Sequence, residues 1–477
     1  MSLSTAMKIA QSSFSNTALQ TAVASKNIAN ASNPAYSRRA AVLASADNGA
    51  TVVQTFRAQN EALQKQNLLS ISKSAAQDTT LAGLERIKAM LGGNDYELST
   101  SKYLATLRDN LQAFADKPSE RSLAETVIAN AVDVANSLNS TTQAVQKMRT
   151  EADADIATSV AELNRLLVEF KTYNDQVKSG TAAGRDVNDA LDERDRLLSR
   201  ISEIIGVSTL VRTNNDVALY TSDGTVLFET YPRAVTFAPT ATYTATVTGN
   251  QVYIDGAAVP AGTGGNTSAQ GTLSALLQLR DDIAPTFQTQ LDEIARGLIS
   301  MFKDNGQPGL FTWMDGPVQS IVVPGALTDG LAGAIFVNPA LITAKGGNPL
   351  KLRDGVNLSQ NTGNDASFSL LLDGYAAAFQ ANMTFDVASA IDTNANILDF
   401  STASIGWVEQ LRSAAVTANN DKAALLSRTQ DALNNVTAVS LDEELSLLLD
   451  LEQSYKASAK LVAAVDEMMT ALLQAAG

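Results

Sequence analysis

The chain of 477 residues contains no cysteine and no histidine, and only 5% of its residues are aromatic. The missing cysteines exclude disulfides and thiolate chemistry. The missing histidines remove the commonest general base and metal ligand. Ser-His-Asp hydrolysis, Cys-His proteolysis and His-ligated zinc are therefore excluded. An enzyme built on carboxylates needs a paired acid site, and none stands out, so we expect no catalytic residue, no metal and no cofactor.

A basic surface is lacking as well, because 50 acidic residues outnumber 35 basic residues and give a formal net charge of −15. Since phosphate binding needs a basic field, we expect no nucleic-acid partner and no membrane partner. No stretch approaches the ~20 apolar residues of a membrane span. Residues 1–10 contain one lysine and no long apolar run, so we expect no cleaved secretory signal. This pattern fits the cytoplasm, and it also fits export by a route that leaves the chain uncut.

Helical periodicity dominates what is present, beginning with the first 30 residues. Their apolar and small residues recur at alternating steps of four and three, which predicts one helical stripe. The stripe consists of Leu3, Met7, Ala10, Phe14, Thr17, Thr21, Ala24 and Ile28. We expect this helix to end near Asn33, because the residue before Pro34 is pushed out of the α region. No acidic residue precedes Asp47.

Further helices are predicted along most of the chain, and two segments have a different character. The predicted helices cover residues 51–90, 99–115, 122–170, 187–205, 272–302, 402–433 and 440–473. Residues 206–265 and 305–399 are rich in turn signals and favour short strands. The predicted fold class is therefore mixed and mainly α, with a β-rich insertion, a long helical bundle as stalk, and terminal helices paired as a coiled coil.

The last predicted helix carries two adjacent apolar stripes, which is typical of a helix that contacts more than one neighbour. It begins at Ser440, where Glu443 completes a capping box. Residues 431–477 hold eight acidic and two basic residues, so this end complements the acid-free N-terminal segment. A core helix of an ordinary globular bundle explains the stripes equally well. A partner helix that also contacts neighbouring subunits is the sharper hypothesis.

A dense group of charges lies in the helix predicted over residues 187–205. It consists of Asp189, Asp192, Glu193, Arg194, Asp195 and Arg196. Alternating signs at this density are typical of a solvated helix face with pairs three and four residues apart. We therefore predict an exposed face here and not a metal or acid–base site.

Two end segments together resemble the rod/hook axial-protein family of bacterial flagella. The N-terminal match runs from Asn27 through Asn30, Asn33, Pro34 and Tyr36 to Arg38. The C-terminal match consists of Leu441, Asp442, Glu443, Glu444, Leu445, Leu448, Gln453, Tyr455, Ala457, Ser458, Ala459 and Lys460. Two further segments, residues 188–198 followed by 204–207, and residues 273–280, narrow the resemblance to the hook–filament junction proteins of this family. Residues 305–400 match poorly.

One position departs from the family pattern, because Ala35 stands where the family has a glycine after the proline. Glycine allows the positive φ of a type II turn, whereas alanine disfavours it. We therefore expect a type I turn or an extended exit after Pro34.

The resemblance implies a structural, non-enzymatic protein that joins hook to filament and allows the filament to assemble. It implies an annular homo-oligomer between hook protein and the second junction protein, hook-associated protein 3. It also implies type III export without signal cleavage, with a cytoplasmic chaperone on the C-terminal helix beforehand, and a final place outside the cell. Another axial protein, such as hook protein or hook-associated protein 3, and an adhesin-like role of the outer domain are the alternatives.

The element order and the resemblance together imply three layers and one assembly interface. The layers are an inner-tube domain (residues 1–50 with 438–477), a helical bundle (51–205 with 266–304 and 400–437) and a β-rich outer domain (206–265 with 305–399). The expected interface residues are Leu3, Met7, Phe14, Asn27, Ile28, Asn30, Asn33, Pro34, Tyr36, Leu441, Asp442, Glu443, Glu444, Leu445, Leu448, Gln453, Tyr455, Val462, Met469 and Leu473.

Overall fold

Helices form most of this computed structural model, which describes residues 3–46 and 49–476. The helices are α1 (Leu3–Ala29), α2 (Glu61–Met90), α3 (Thr100–Asp116), α4 (Arg121–Ala182), α5 (Asn188–Ile204), α6 (Thr272–Gln278), α7 (Ala284–Met301), α8 (Leu331–Ala334), α9 (Lys351–Asp354), α10 (Leu370–Ala378), α11 (Ile397–Thr437) and α12 (Leu441–Ala476). The predicted fold class, mainly α with inserted β structure, is confirmed.

Short antiparallel strands fill the segments between the helices. They are β1 (Arg39–Ala46), β2 (Gly49–Arg57), β3 (Val207–Val211), β4 (Val217–Thr221), β5 (Val226–Phe228), β6 (Val235–Thr236), β7 (Tyr253–Ile254), β8 (Ala257–Ala258), β9 (Phe311–Asp315), β10 (Val318–Gln319), β11 (Ile335–Val337), β12 (Met383–Thr384) and β13 (Asn394–Ala395). In the described residues they make sheets ordered β1-β2, β3-β4-β5, β6-β7-β8, β10-β9-β11 and β12-β13.

The chain divides into two compact units. The first unit comprises residues 1–74, 162–234 and 422–477, and the second comprises residues 75–161 and 235–421. The helices α2, α4 and α11 contribute residues to both units. The three layers predicted from the sequence describe an assembly, and they remain a prediction.

The two terminal helices are partners in the first unit, as the sequence predicted. Helix α1 packs along α12, where the rings of Phe14 and Tyr455 meet edge to face with centroids 4.9 Å apart. The hydroxyls of Ser13 and Ser458 lie 2.7 Å apart. Since a later residue of α1 meets an earlier residue of α12, the helices run antiparallel.

Buried side chains line this contact at a spacing of seven residues, which is the repeat of a helix–helix seam. On α1 the buried positions are Ala10, Thr17 and Ala24. On α12 they are Glu444, Leu451, Ser458 and Val465. Because the α1 side chains are so small, the two helices approach closely, but little of the seam is shaped by large apolar groups.

A helix α2 beginning at residue 51 was predicted wrongly, because residues 49–57 form strand β2 and α2 begins only at Glu61. Strand β2 pairs with β1, and the register shifts between Val42 and Leu43, as at a β-bulge. The segment is rich in threonine and valine, which suit a strand. Its partner strand supplies the backbone hydrogen bonds, so pairing outweighs the helical periodicity.

The second unit is built around one apolar core in which helices and short strands meet. Buried core residues include Leu104, Leu107 and Leu111 of α3, Val127, Val134 and Leu138 of α4, and Phe287, Leu291 and Leu298 of α7. The helix predicted over 272–302 is present with one irregularity, because residues Leu279–Ile283 form a π turn. There the buried Arg280 Nη1 lies 2.6 Å from Asp153 Oδ1 of α4. A π turn within an α-helix often occurs at a position with a specific role, and here the position holds the buried Arg280.

Candidate assembly interface

Asn27, near the end of α1, is a buried polar anchor for the chain that leaves the helix. Its amide Nδ2 donates to the carbonyl of Arg39 at 2.8 Å. Its Oδ1 accepts from the backbone N–H of Arg39 at 3.0 Å and from the Tyr36 hydroxyl at 2.8 Å. Burial raises the pKa of Tyr36 to about 12, so the phenol remains a proton donor. Asn27 therefore shapes the protomer from within and does not face a neighbour.

The other two asparagines of the motif form the turn after α1. Asn30 Nδ2 donates to the carbonyl of Lys26 at 2.9 Å. The Asn33 side-chain oxygen accepts from the N–H of Ala35 at 3.1 Å, and its carbonyl accepts from the N–H of Tyr36 at 3.1 Å. Pro34 therefore occupies the second position of a β-turn, where its fixed φ is favourable. Ala35 is absent from the residues with positive φ, in agreement with the predicted departure from a type II turn.

Just beyond this turn, buried arginines join the base of the β1–β2 hairpin to helix α5. The Arg39 Nη2 lies 2.5 Å from Asp189 Oδ1 and 2.9 Å from Asp192 Oδ2. The Arg57 Nε lies 2.7 Å from Asp192 Oδ1, and Arg57 also pairs with Asp195. Burial raises the pKa of Asp192, which the two guanidiniums only partly offset. Because both arginine side chains are nearly inaccessible to solvent, screening by salt is weak here.

The charged group on α5 was therefore predicted wrongly as a solvated face. Asp192 and Arg194 are buried, and Arg194 Nη1 donates to Asn174 Oδ1 at 3.1 Å and to the Asn215 carbonyl at 2.5 Å. Pairs three residues apart do occur, as for Glu193 with Arg196, but only on the outer side. Spacing along one helix shows local pairs and gives no sign of partners that are more than 100 residues away.

A second ion pair joins the turn after α1 to the first turn of α12. Arg38 Nε lies 2.7 Å from Glu444 Oε1, and the Glu444 side chain is completely buried. The Arg38 N–H donates to the Thr437 carbonyl at 2.7 Å. The exposed Glu443 lies 4.0 Å from the same guanidinium, and its backbone N–H donates to Ser440 Oγ at 3.4 Å. The Ser440 half of the predicted capping box is thus present, whereas the Glu443 carboxylate lies near Arg38, and Glu444 has a further role that the sequence did not reveal.

The predicted interface residues divide into two sets. One set lies within the protomer, buried or half-buried: Phe14, Asn27, Ile28, Asn30, Tyr36, Glu444, Leu448 and Val462. The other set is exposed: Met7, Asn33, Pro34, Leu441, Asp442, Glu443, Leu445, Gln453, Tyr455, Met469 and Leu473. Leu3 is helical, but its side chain lies outside the described residues. Only the exposed set is available to another molecule, and whether it forms an interface remains a prediction.

The exposed apolar surface of α12 is larger than the predicted set. Leu449, Leu461, Met468 and Leu472 are also exposed. The last three belong to the second apolar stripe, which the sequence did show, whereas Leu449 lies on neither stripe. Because α1 is the principal partner of α12, it covers one seam and leaves both flanks in solvent.

Neither a metal centre nor a membrane segment occurs in the part of the chain that the structure describes. Within residues 3–46 and 49–476, no group of three carboxylates is placed to hold a metal ion. Across the same residues, no helix combines the length and apolar character needed to cross a bilayer.

Comparison with known proteins finds similarity to flagellar proteins along most of the chain. Residues 84–312 match the model of the flagellar hook-associated protein FlgK helical domain. Residues 432–475 match the flagellar basal body rod FlgEFG protein C-terminal model. Flagellar hook-associated protein 1 of Bacillus subtilis is 22% identical over 502 residues, covering 94% of each chain.

Two further relatives are similar over shorter parts. Flagellar hook-associated protein 1 of Salmonella typhimurium is 25% identical over 217 residues, or 43% of this chain and 39% of that protein. The solved structure of the flagellar hook junction protein FlgK from Burkholderia pseudomallei has a TM-score of 0.44 and 18% identity, covering 52% of this chain and 47% of that one.

Proposed function

We propose that this chain, which is similar to flagellar hook-associated protein 1 over most of its length, forms the junction layer between hook and filament of the bacterial flagellum. In this role it allows the filament to assemble and acts without catalysis. The observation that carries the proposal is the exposed apolar surface of α12, on a helix whose sequence matches the axial-protein C-terminal family.

Nine large apolar side chains of α12 are exposed, with exposed fractions from 45% for Leu461 to 71% for Leu473. The set is Leu441, Leu445, Leu449, Tyr455, Leu461, Met468, Met469, Leu472 and Leu473. A soluble monomer rarely exposes this many large apolar side chains along one helix. Such a surface fits a protein whose final state is an assembly.

The expected gain from covering this surface is similar to the cost of association. Burying the exposed half of each side chain contributes about 1 kcal/mol, so nine contribute roughly 9 kcal/mol. Losing free translation and rotation costs about 4–15 kcal/mol. One contact between two copies is therefore marginal, whereas a copy that meets several neighbours gains more than once. This balance favours assembly on an existing hook end over association in solution.

We assign the contacts to neighbouring copies in an annular homo-oligomer, with hook protein on one side and hook-associated protein 3 on the other. The exposed set on α12, together with Met7 and Asn33-Pro34 near α1, forms the interface. The buried set, including Asn27 and Glu444, holds the terminal helices in the shape that presents it.

Before assembly, the same apolar surface needs cover. We therefore assign a cytoplasmic chaperone to α12, followed by type III export of the uncut chain to the flagellum outside the cell. A chain without cysteine cannot form disulfides that would hinder its passage as an unfolded polypeptide.

The test is electron microscopy of cells in which the gene is deleted, with an assay of flagellin in the medium. Hooks without filaments and flagellin shed as monomer are expected. Normal filaments contradict the junction role, and missing hooks instead indicate a rod or hook component. Restoring the gene as Leu445→Asp is expected to leave the defect, whereas the matched exposed position Val387→Asp, 82% exposed in the second unit, is expected to repair it.

A further inference from the structure

A cleft of about 510 Å³ lies within the first unit, where the turn after α1 meets the start of α2, helix α5 and the end of α11. This volume is within the ~300–1,000 Å³ that is usual for ligand sites. Side-chain amides set the chemistry of the cleft, because they are neutral and both donate and accept hydrogen bonds. The amides that line it are Asn30, Asn33, Gln59, Asn60, Gln64, Asn67, Gln430 and Asn434.

Two polar side chains of this lining are almost fully buried and still have a free hydrogen-bonding atom. Ser37 and Asn67 are each 7% exposed. Within residues 3–46 and 49–476, Ser37 is held by its backbone N–H, 3.3 Å from Asp192 Oδ1, while its hydroxyl has no partner. Asn67 Oδ1 accepts a long hydrogen bond from Thr429 at 3.4 Å, while its Nδ2 has none. Polar groups on buried side chains are normally paired, so these two atoms indicate an occupant that donates and accepts hydrogen bonds.

Three charged residues line the cleft, and each is paired within the protomer. Arg57 pairs with Asp192 and Asp195. Arg196 pairs with Glu193, with Nε 2.8 Å from Oε2. A charged ligand would therefore find no free countercharge among the residues that line the cleft, and the occupant is expected to be uncharged.

The aromatic content of the lining separates two kinds of uncharged ligand. A sugar ring would stack on an exposed aromatic face, but the aromatic residue of this lining, Tyr36, is only 8% exposed. The Arg39 guanidinium lies over its ring, 4.7 Å from the centroid. A polypeptide backbone needs no such face. Its peptide groups offer a donor and an acceptor as side-chain amides do, and an extended segment leaves them open for pairing.

We propose that this cleft binds an extended, uncharged polypeptide segment of a neighbouring copy of this chain. The inference rests on the proposed function and adds to it a polar site between copies, distinct from the apolar surface of α12. The amides of the cleft pair with peptide groups of the segment, and the hydroxyl of Ser37 and the Nδ2 of Asn67 gain the partners that the protomer does not supply.

Two observations favour a second copy as the source of the segment. Asn33 and Pro34 line the cleft and are exposed, so the cleft opens on the surface assigned above to contacts between copies. The chain also carries segments of the required chemistry, because residues 234–279 contain one charged residue, Asp255, and residues 237–252 form neither helix nor strand. An uncharged segment also avoids the repulsion between two acidic chains.

The absence of cysteine makes Ser37→Cys a direct reporter of occupancy, because it replaces one oxygen by the only sulfhydryl of the chain. In the purified chain this thiol is expected to react with N-ethylmaleimide. In isolated hook–filament complexes its rate is expected to fall at least tenfold, whereas Val387→Cys, 82% exposed, reacts equally in both. Equal rates for Ser37→Cys mean that solvent alone fills the cleft, and an unreactive thiol in the purified chain means that the cleft is closed. Either result overturns the inference.

Photocrosslinking identifies the occupant and its source. A deletion strain would produce two forms together, a tagged chain with benzoylphenylalanine in place of Asn434 and an untagged chain. Illumination of isolated hook–filament complexes is expected to join tagged to untagged chains, and mass spectrometry is expected to find the linkage in an uncharged segment outside the helices. Linkage only to a different protein, or to a charged or helical segment, would overturn the inference.

A pair of matched variants tests the contact without a reporter. Gln64→Leu with Asn434→Leu removes two amides that have no side-chain hydrogen bond in the described part of the chain, so the fold is expected to persist by circular dichroism. Filaments per cell are expected to fall several-fold, whereas Gln66→Leu with Asn435→Leu, outside the cleft, behaves as wild type. If deletion abolishes filaments but the cleft variant keeps them, the cleft inference is wrong and the junction role stands. If deletion leaves filaments, the junction role itself fails.

Discussion

Replacing Arg38 by methionine is expected to loosen α12 specifically, because it leaves the Glu444 carboxylate buried without its cation. Removing one partner of a buried ion pair costs about 3–5 kcal/mol. The Arg38 side chain is 33% exposed while that of Glu444 is 0% exposed, so solvent screens part of the attraction and the lower value applies. A loss of ~3 kcal/mol is a factor of about 150 in an opening equilibrium.

Hydrogen exchange measured by mass spectrometry resolves this effect along the chain. Amides of the buried seam, from Glu444 to Val465, are expected to exchange about 150-fold faster in Arg38→Met if they exchange through local opening. Peptides from α7 in the second unit serve as the internal reference. The control variant Glu443→Gln removes a carboxylate 4.0 Å away that is largely exposed, so its effect is expected to stay below ~0.5 kcal/mol.

The double variant Arg38→Met, Glu444→Leu separates a buried charge from a general packing defect. Because both charged groups are then gone, protection of α12 is expected to return to within ~1 kcal/mol of wild type. Unchanged exchange in Arg38→Met, or a double variant less protected than the single one, would refute the reasoning.

Three further variants address the anchor, the seam and the second unit. Asn27→Ala is expected to destabilise the first unit by ~2–3 kcal/mol through lost buried hydrogen bonds, against little for the exposed Asn33→Ala, in thermal unfolding followed by circular dichroism. Ala24→Leu is expected to cost ~1–3 kcal/mol by overpacking the seam, whereas Ala22→Leu on the exposed side is neutral in the same assay. Burial raises the pKa of Asp292 from 3.8 to about 6, so the folded state binds this proton more tightly than the unfolded state does. The free energy of unfolding is therefore expected to fall by ~3 kcal/mol as pH rises from about 4 to 6. Unfolding followed by tryptophan fluorescence should show this pH dependence in the wild type and not in Asp292→Asn.

Periodicity predicted the long helices well because their buried stripes repeat over many turns. Helix α4 was predicted over residues 122–170, and Val127, Ile156 and Phe170, which are spread along that range, are all buried. The ends of α12 were predicted within a few residues, since Ser440 and the preceding loop give a clear start signal. In these helices the apolar periodicity of the sequence matches the face that is buried in the fold, so the periodicity alone is enough to predict them.

The polar core of the first unit was missed for the opposite reason. Arg39 and Asp192 are 153 residues apart, and Arg38 and Glu444 are 406 apart. Nothing in the spacing of charges along α5 distinguishes Asp192, which is buried, from Glu193, which pairs on the outside. The family motif did mark Arg38 and Glu444, but a motif shows only that a residue matters and not what it contacts.

The composition of the α1–α12 seam explains why polar groups are concentrated around it. The buried α1 positions are alanine and threonine, which allow close approach, but a slip by one heptad would place similar α1 side chains in the seam. Large apolar residues cannot set the register here, because most of those on α12 are left outside for other molecules. Glu444 supplies the buried partner of Arg38, and Asn27 fixes the backbone of Arg39, so a slipped pairing would leave a buried carboxylate without its cation. We infer that these groups specify the alignment of the terminal helices, as single buried polar residues do in coiled coils, while the apolar residues remain available for assembly.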